Sequence, residues 1–203
     1  MALPWIKHPV VLRGPRVELR PLEREDLDSL FEVSSNPKIW ELTSANYSTP
    51  EIFYPHFEAA IRDRESRKAY PFLIRDHAAS RTIGTTRLLE IFPADRKLEI
   101  GVTWLDPRYW GTGANMECKW LLLRFCFEEL CAVRVQFRAK AGNARSRAAL
   151  EKIGAKFEGV LRKDKIEPGG NARDTAFYSI IDEEWPAVKL ALERKLDERH
   201  AAA

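Results

Sequence analysis

Three groups of residues in this 203-residue chain have types and spacings that could do chemistry. The first is the turn Arg108 to Asn115 (RYWGTGAN), set between an apolar strand (Ile100, Val102, Trp104, Leu105) and a helix expected from Ala114 to Leu130. A strand that enters a helix through glycines leaves amide N–H groups without intrahelical partners, and the helix dipole aims them at an anion. Gly111 and Gly113 also let backbone approach a phosphate with no Cβ in the way, so a pyrophosphate suits the turn. The second group is basic: Arg134, Arg138, Lys140, Arg145, Arg147, Lys152 and Lys156 flank the next strand and helix, where they would hold a phosphorylated ligand. The third is Glu99, an acid within the central strand; alternation puts it on one face with Gly101 and Thr103. Its structural alternative is a half-exposed acid paired with Lys97 or Arg87.

These residues need a sheet and helices to hold them. Strands are expected at Arg16–Leu22, which alternates charged and apolar residues, and at Tyr70–Arg75, Thr82–Leu89, Leu98–Leu105, Val133–Phe137, Glu158–Arg162 and Thr175–Ile181, which are apolar or β-rich runs with turn formers between them. The second to fourth form an antiparallel meander, and the strand-helix-strand run from Leu98 to Phe137 is a crossover that makes two strands parallel. Helices are expected at Glu23–Ser34, ended by Asn36-Pro37, and from Pro50 toward Arg64 with Thr49 as cap. The helix from Ala114 turns Cys118, Leu121, Leu122 and Phe125 inward and Lys119, Arg124 and Glu128 outward. Trp40–Ser48 is an aromatic candidate binding loop, and a last helix opens at Asp182–Pro186 with a tail, Glu193–Ala203, that frays. One domain over residues 1–203 is expected, with its core at about 15–190.

Net charge is only +3 with 31% charged residues, which argues against nucleic acid or membrane as the main partner. Cys118, Cys126 and Cys131 lack metal-ligand spacing, and Cys118 and Cys126, eight apart on a similar helical face, are expected to pack as small apolar groups. No apolar run is long enough to cross a bilayer, and residues 1–5 lack signal-peptide character, so cytoplasmic residence is expected.

Glu99-Ile100-Gly101, Trp110-Gly111-Thr112-Gly113 with Glu117, Asn143 with Ser146, the segment Glu151–Gly159, and Asp174 followed by Tyr178-Ser179 occur in an order and spacing that resemble the GNAT superfamily of acyl-CoA-dependent N-acetyltransferases, in particular its RimJ/RimL-like branch. The resemblance runs from Val17 to Trp185. It implies an α/β (α+β) fold with a mixed, mostly antiparallel sheet, whose fourth and fifth strands are parallel and splay apart. It also implies acetyl-CoA as co-substrate and no metal. The pyrophosphate would lie on the amides of Trp110, Gly111, Thr112, Gly113, Ala114 and Asn115, the pantetheine beside Val102, Thr103 and Trp104, and Asn143 would bond the pantetheine arm. Two registers fit the family's loop pattern. One uses Arg108, Gly111 and Gly113; the preferred one uses Trp110, Gly113 and Asn115, because it also matches Glu117.

Acetyl transfer needs a seat for the nucleotide, a base for the ammonium and a donor for the oxyanion, but no covalent enzyme intermediate. The resemblance implies Glu99 as base through a water and Ser146 near the sulfur. Leu150 occupies the family's usual tyrosine position, so a general acid must come from elsewhere; Tyr178 is the runner-up. The acceptor is a primary amine, on a protein N-terminus or a small molecule, and a homodimer is allowed. The competing reading is a non-catalytic CoA-binding sensor or scaffold.

Overall fold

The computed structural model describes residues 5–43 and 45–201. Its strands are β1 (Leu12–Arg13), β2 (Val17–Pro21), β3 (Tyr70–Asp76), β4 (Arg81–Phe92), β5 (Lys97–Leu105), β6 (Arg134–Lys140), β7 (Lys156–Ile166) and β8 (Ala172–Ile181). They form one sheet in the order β1-β2-β3-β4-β5-β6-β8-β7. Every neighbouring pair is antiparallel except β5 and β6, which run parallel. The expected class and crossover are therefore present. β1 is an addition, since two residues carry no period to read, and it makes the parallel pair fifth and sixth rather than fourth and fifth.

The helices are α1 (Leu27–Ser34), α2 (Pro50–Glu65), α3 (Ala114–Arg124), α4 (Ala144–Lys152) and α5 (Trp185–Ala201). α1 and α2 cover one face of the sheet, where Leu22, Leu30, Ile39, Phe53, Phe57 and Leu73 pack with Trp104. The opposite face carries α3, α4 and α5, whose Leu121, Leu122, Leu150 and Leu192 join Leu98, Ile100, Val135 and Phe137. Burying both faces is what lets strands such as β3 be apolar at consecutive positions.

Local details depart from expectation in three places. Thr49 sits before α2 in an extended conformation, but its side chain makes no capping bond, so Pro50 at the first helical position, with its preset φ, marks the start. The α-helix expected to Leu130 stops at Arg124 and continues as a π-turn over Phe125–Glu129, with Leu130 N–H donating to the Phe125 carbonyl at 3.1 Å. The wider turn lets Phe125, Cys126 and Phe127 all point inward. α5 runs on past Glu193 to Ala201 instead of fraying, because Leu196 is buried and Arg199 reaches back to the Gly111 carbonyl; residues 202 and 203 lie outside the described residues. Cys118 and Cys126 are buried and unjoined, as expected.

The feature that matters for function is where β5 and β6 part. Their ladder consists of Lys97 with Arg134, Leu98 with Val135 and Glu99 with Gln136. Beyond Glu99 the strands diverge, and among the described residues Ile100–Leu105 has no strand on that side to accept its backbone bonds.

Candidate active site

A cavity of about 690 Å³ opens from this divergence. Its walls are β5 from Ile100 to Leu105, the turn before α3, Lys119, β6 from Phe137 to Lys140, one side of α4, and the loop residues Trp40, Leu42, Thr43, Ala45 and Tyr47. Among the described residues, eight of the lining side chains are Lys or Arg and none is Asp or Glu. Such a wall raises the local concentration of anions. The basic cluster read from the sequence divides here. Arg138, Lys140, Arg145 and Lys152 face the cavity, whereas Arg134 pairs with Glu158, Lys156 with Glu184, and Arg147 donates to the Tyr178 hydroxyl.

At one end of the cavity lies the glycine turn. Gly111 and Gly113 have φ of +77° and +97°, a region that side chains with a Cβ enter only at a cost. Gly113 takes the N-cap position of α3. The amides of Gly111, Gly113, Asn115 and Met116 find no acceptor among the described residues, so the helix start presents free donors as expected. Arg108 is held by its neighbour: Nε and Nη2 donate to the Asp106 carboxylate, and the guanidinium does not line the cavity. Trp110 does line it, with Arg145 stacked over its ring at 4.1 Å. Glu117 is buried and accepts the backbone N–H groups of Arg16 (2.9 Å) and Val17 (3.0 Å), so it ties α3 to β2.

Along β5 the expected alternation fails. Arg87 pairs with Gly101 and Thr85 with Trp104, so the single residue Thr86 faces both Val102 and Thr103. That is a β-bulge, and Val102 sits in it at φ +47°, an uncommon conformation for a β-branched residue. The extra residue reverses the faces. Glu99 and Gly101 point toward α1 and α2, as Trp104 does, while Thr103 points with Ile100 and Leu105 toward α3. Glu99 and Thr103 are thus on opposite faces.

Glu99 is 4% exposed and pairs with neither Lys97 nor Arg87. Arg138 Nε (2.5 Å) and Gln136 Nε2 (3.2 Å) both meet its Oε2. Burial pushes its carboxyl above the usual glutamate range, against the opposing pull of Arg138. Asn143 lines the cavity and caps α4 by accepting from Ser146 N–H, while its amide donates to the Leu42 carbonyl, both at 2.9 Å. Ser146 and Leu150 line the cavity as well. Tyr178 does not: it is fully buried, accepting from Arg147 and donating to Glu151.

Residues 16–156 match the acetyltransferase (GNAT) domain family. The chain belongs to the GNAT acetyltransferases. Among its relatives is YdaF of Bacillus subtilis (strain 168), which carries the name of a ribosomal N-acetyltransferase and is 35% identical over 106 residues, 52% of this chain and 57% of that one. YnaD of the same organism, an uncharacterized N-acetyltransferase, is 25% identical over 84% of this chain and 96% of its own length. A crystal structure of a GCN5-related N-acetyltransferase from Brucella melitensis is 29% identical, with a TM-score of 0.84 over 93% of this chain and 86% of that one. Mycobacterium smegmatis RimJ, solved with CoA-disulfide, shares the fold at 22% identity and a TM-score of 0.77, over 93% and 95% of the two chains.

One residue lining this cavity lies opposite to its expected side of α3. Lys119 falls on the outward side of an ideal helical wheel, yet it is 5% exposed and lines the cavity. Its ammonium donates to Thr103 Oγ1 at 2.8 Å, Thr103 is bonded to Thr86 at 2.7 Å, and the Phe137 ring centre lies 5.7 Å away. Burial lowers its pKa to about 8. Only the divergence of β5 from β6 leaves room for a long cation under the sheet, and a helical wheel holds no information about that gap.

Proposed function

We propose that the chain moves an acetyl group from acetyl-CoA to a primary amine by direct attack through a tetrahedral intermediate. The observation that carries this is the cation-lined cavity, with free helix amides at one end and an unpaired stretch of β5 along its floor. The phosphates would rest on the turn from Trp110 to Asn115, helped by Arg145 and Arg199. The pantetheine, a chain with two amides, would lie along Val102–Trp104 and use the backbone groups that β6 leaves unbonded. Asn143 and Ser146 would border its arm.

Glu99 is the proposed base. Both of its contacts fall on Oε2, which leaves Oε1 for a water on the α1/α2 face, the side from which the amine would come. Lys119, on the α3 face, is the proposed acid for the departing thiolate, in place of the tyrosine that Leu150 replaces. A donor of pKa about 8 is well matched to a thiol whose ordinary pKa is about 8.5. Proton removal and proton delivery would then occur on opposite sides of β5. A thiol-release assay with acetyl-CoA and a panel of amines, from peptide N-termini to small amines, tests the proposal. Tight acetyl-CoA binding without thiol release on any amine would mark the chain as a CoA-binding sensor or scaffold instead.

A further inference from the structure

Arg87 of β4 is buried against α2 and forms no ion pair among the described residues. It stands beside Gly101 in the β4–β5 register, on the α1/α2 face, and is 5% exposed. Its guanidinium lies 5.0 Å from the centre of the Phe57 ring, and neither Nε nor Nη2 has a hydrogen-bond partner among the described residues. Asp63 and Tyr47 act on it through electrostatics without an ion pair. The Nε2 of His56 and the Nε1 of Trp104, whose rings lie 5.1 and 6.2 Å from that of Phe57, are likewise buried and unpartnered. Four of the seven such side-chain atoms among the described residues therefore surround one phenylalanine. Buried polar groups are nearly always bonded, so a concentration of unbonded ones needs an occupant.

The box adjoins the proposed acetyl site. Trp104 and Tyr47 line the cavity, and Tyr47 stacks on His56 at 4.2 Å. We propose that the box receives a carboxylate of the acceptor, so that the preferred substrates are amines carrying a carboxylate a few bonds from the reacting nitrogen. This rests on the acetyl-transfer reading of the same cavity and names its acceptor class. A guanidinium fork takes a carboxylate through two parallel bonds, and the indole N–H adds a third. The slot between aromatic rings suits a planar anion. Burial and the Arg87 charge hold His56 neutral, with its pKa lowered to about 4, so it adds no second charge and can donate one N–H to the same anion. A polyamine would leave all four nitrogens unbonded and set its own charge against Arg87.

The test measures thiol release from acetyl-CoA with acceptor pairs that differ only in carboxylate against carboxamide. One arm uses free α-amino acids and their α-amides; the other uses peptide amides beginning with Asp or Glu against Asn or Gln. The expected result is a preference in kcat/KM of roughly tenfold to a hundredfold for the carboxylate in one arm. Arg87→Met should bring that ratio close to one, mainly through KM, and Arg87→Lys should keep part of it. A response in the first arm identifies free amino acids, and one in the second identifies acidic protein N-termini. If the unmodified enzyme turns over but treats both members of each pair alike, the carboxylate box is wrong and acetyl transfer stands. Should no amine release thiol, the box is read by itself, through Trp104 fluorescence during titration with N-acetylglutamate. Saturable quenching that Arg87→Met abolishes supports the box, and no quenching overturns it.

Discussion

Lys119→Met should make this protein more stable and slower at once. Lowering the lysine from its ordinary 10.5 to about 8 means that its charged form is disfavoured in the fold by about 3 kcal/mol. Methionine has a similar length and no charge to bury. Against that gain stands the lost bond to Thr103, worth about 1 kcal/mol. The net is about 2 kcal/mol at pH 7, a rise in Tm of roughly 4 to 8 °C for a chain of this size. The sign follows from proton binding. Below pH 8 the folded and unfolded states are both protonated and the full penalty applies; from about 8 to 10.5 the folded state binds fewer protons, so the stability of the parent rises with pH. The advantage of methionine should shrink across that window and vanish above it. If Lys119 protonates the departing thiolate, turnover should fall about 10²- to 10⁴-fold, and the decline of the parent rate above pH 8 should be absent in the variant. Thermal melts from pH 7 to 10.5 and thiol-release kinetics over the same range measure both effects. A lower Tm would refute the buried-charge account. Turnover within threefold of the parent at every pH would refute the acid.

Glu99→Gln removes the proposed base, a carboxyl whose pKa burial has raised, while Arg138 keeps Glu90 at 3.4 Å as a partner. Turnover should drop about 10²- to 10⁴-fold, with acetyl-CoA affinity nearly unchanged and partial recovery at high pH, where the amine deprotonates unaided. Parent-like rates across the pH range would return Glu99 to a structural role. Glu117→Ala strands the Arg16 and Val17 amides and should cost about 2–4 kcal/mol in urea unfolding; an unchanged midpoint would contradict that. Arg199→Ala loses the 2.7 Å bond to the Gly111 carbonyl and a cation at the proposed phosphate seat. Its acetyl-CoA Kd, read by calorimetry, should rise about threefold to tenfold, less than a buried contact would give because the bond is exposed to solvent. An unchanged Kd would place the phosphates away from α5.

Much of this protein is determined by local sequence. Glycines at 111 and 113, where only positive φ closes the turn, together with the apolar strand before them, specify the strand-to-helix junction without help from distant residues. Alternation in β2, runs of β-branched and aromatic residues in β3, β4 and β8, and the prolines at 37 and 50 mark most element limits, because period, propensity and breaker chemistry act within a few residues. The order of the GNAT motifs carried the family, and the domain match agrees. What tertiary structure decided is which side chains meet. The bulge at Val102 answers to the register of β4 against β5, a pairing that no pattern within β5 itself encodes, and it alone turns Thr103 away from Glu99. Arg138 displaced Lys97 and Arg87 as the partner of Glu99 because β6 lies alongside β5 there. Lys119 is inward for the same reason of placement, since two strands that part above α3 leave a space that no pattern within α3 encodes. α5 stays helical to Ala201 because it lies on the rest of the domain, where burial of Leu196 and the reach of Arg199 outweigh the weak propensity of a charged tail.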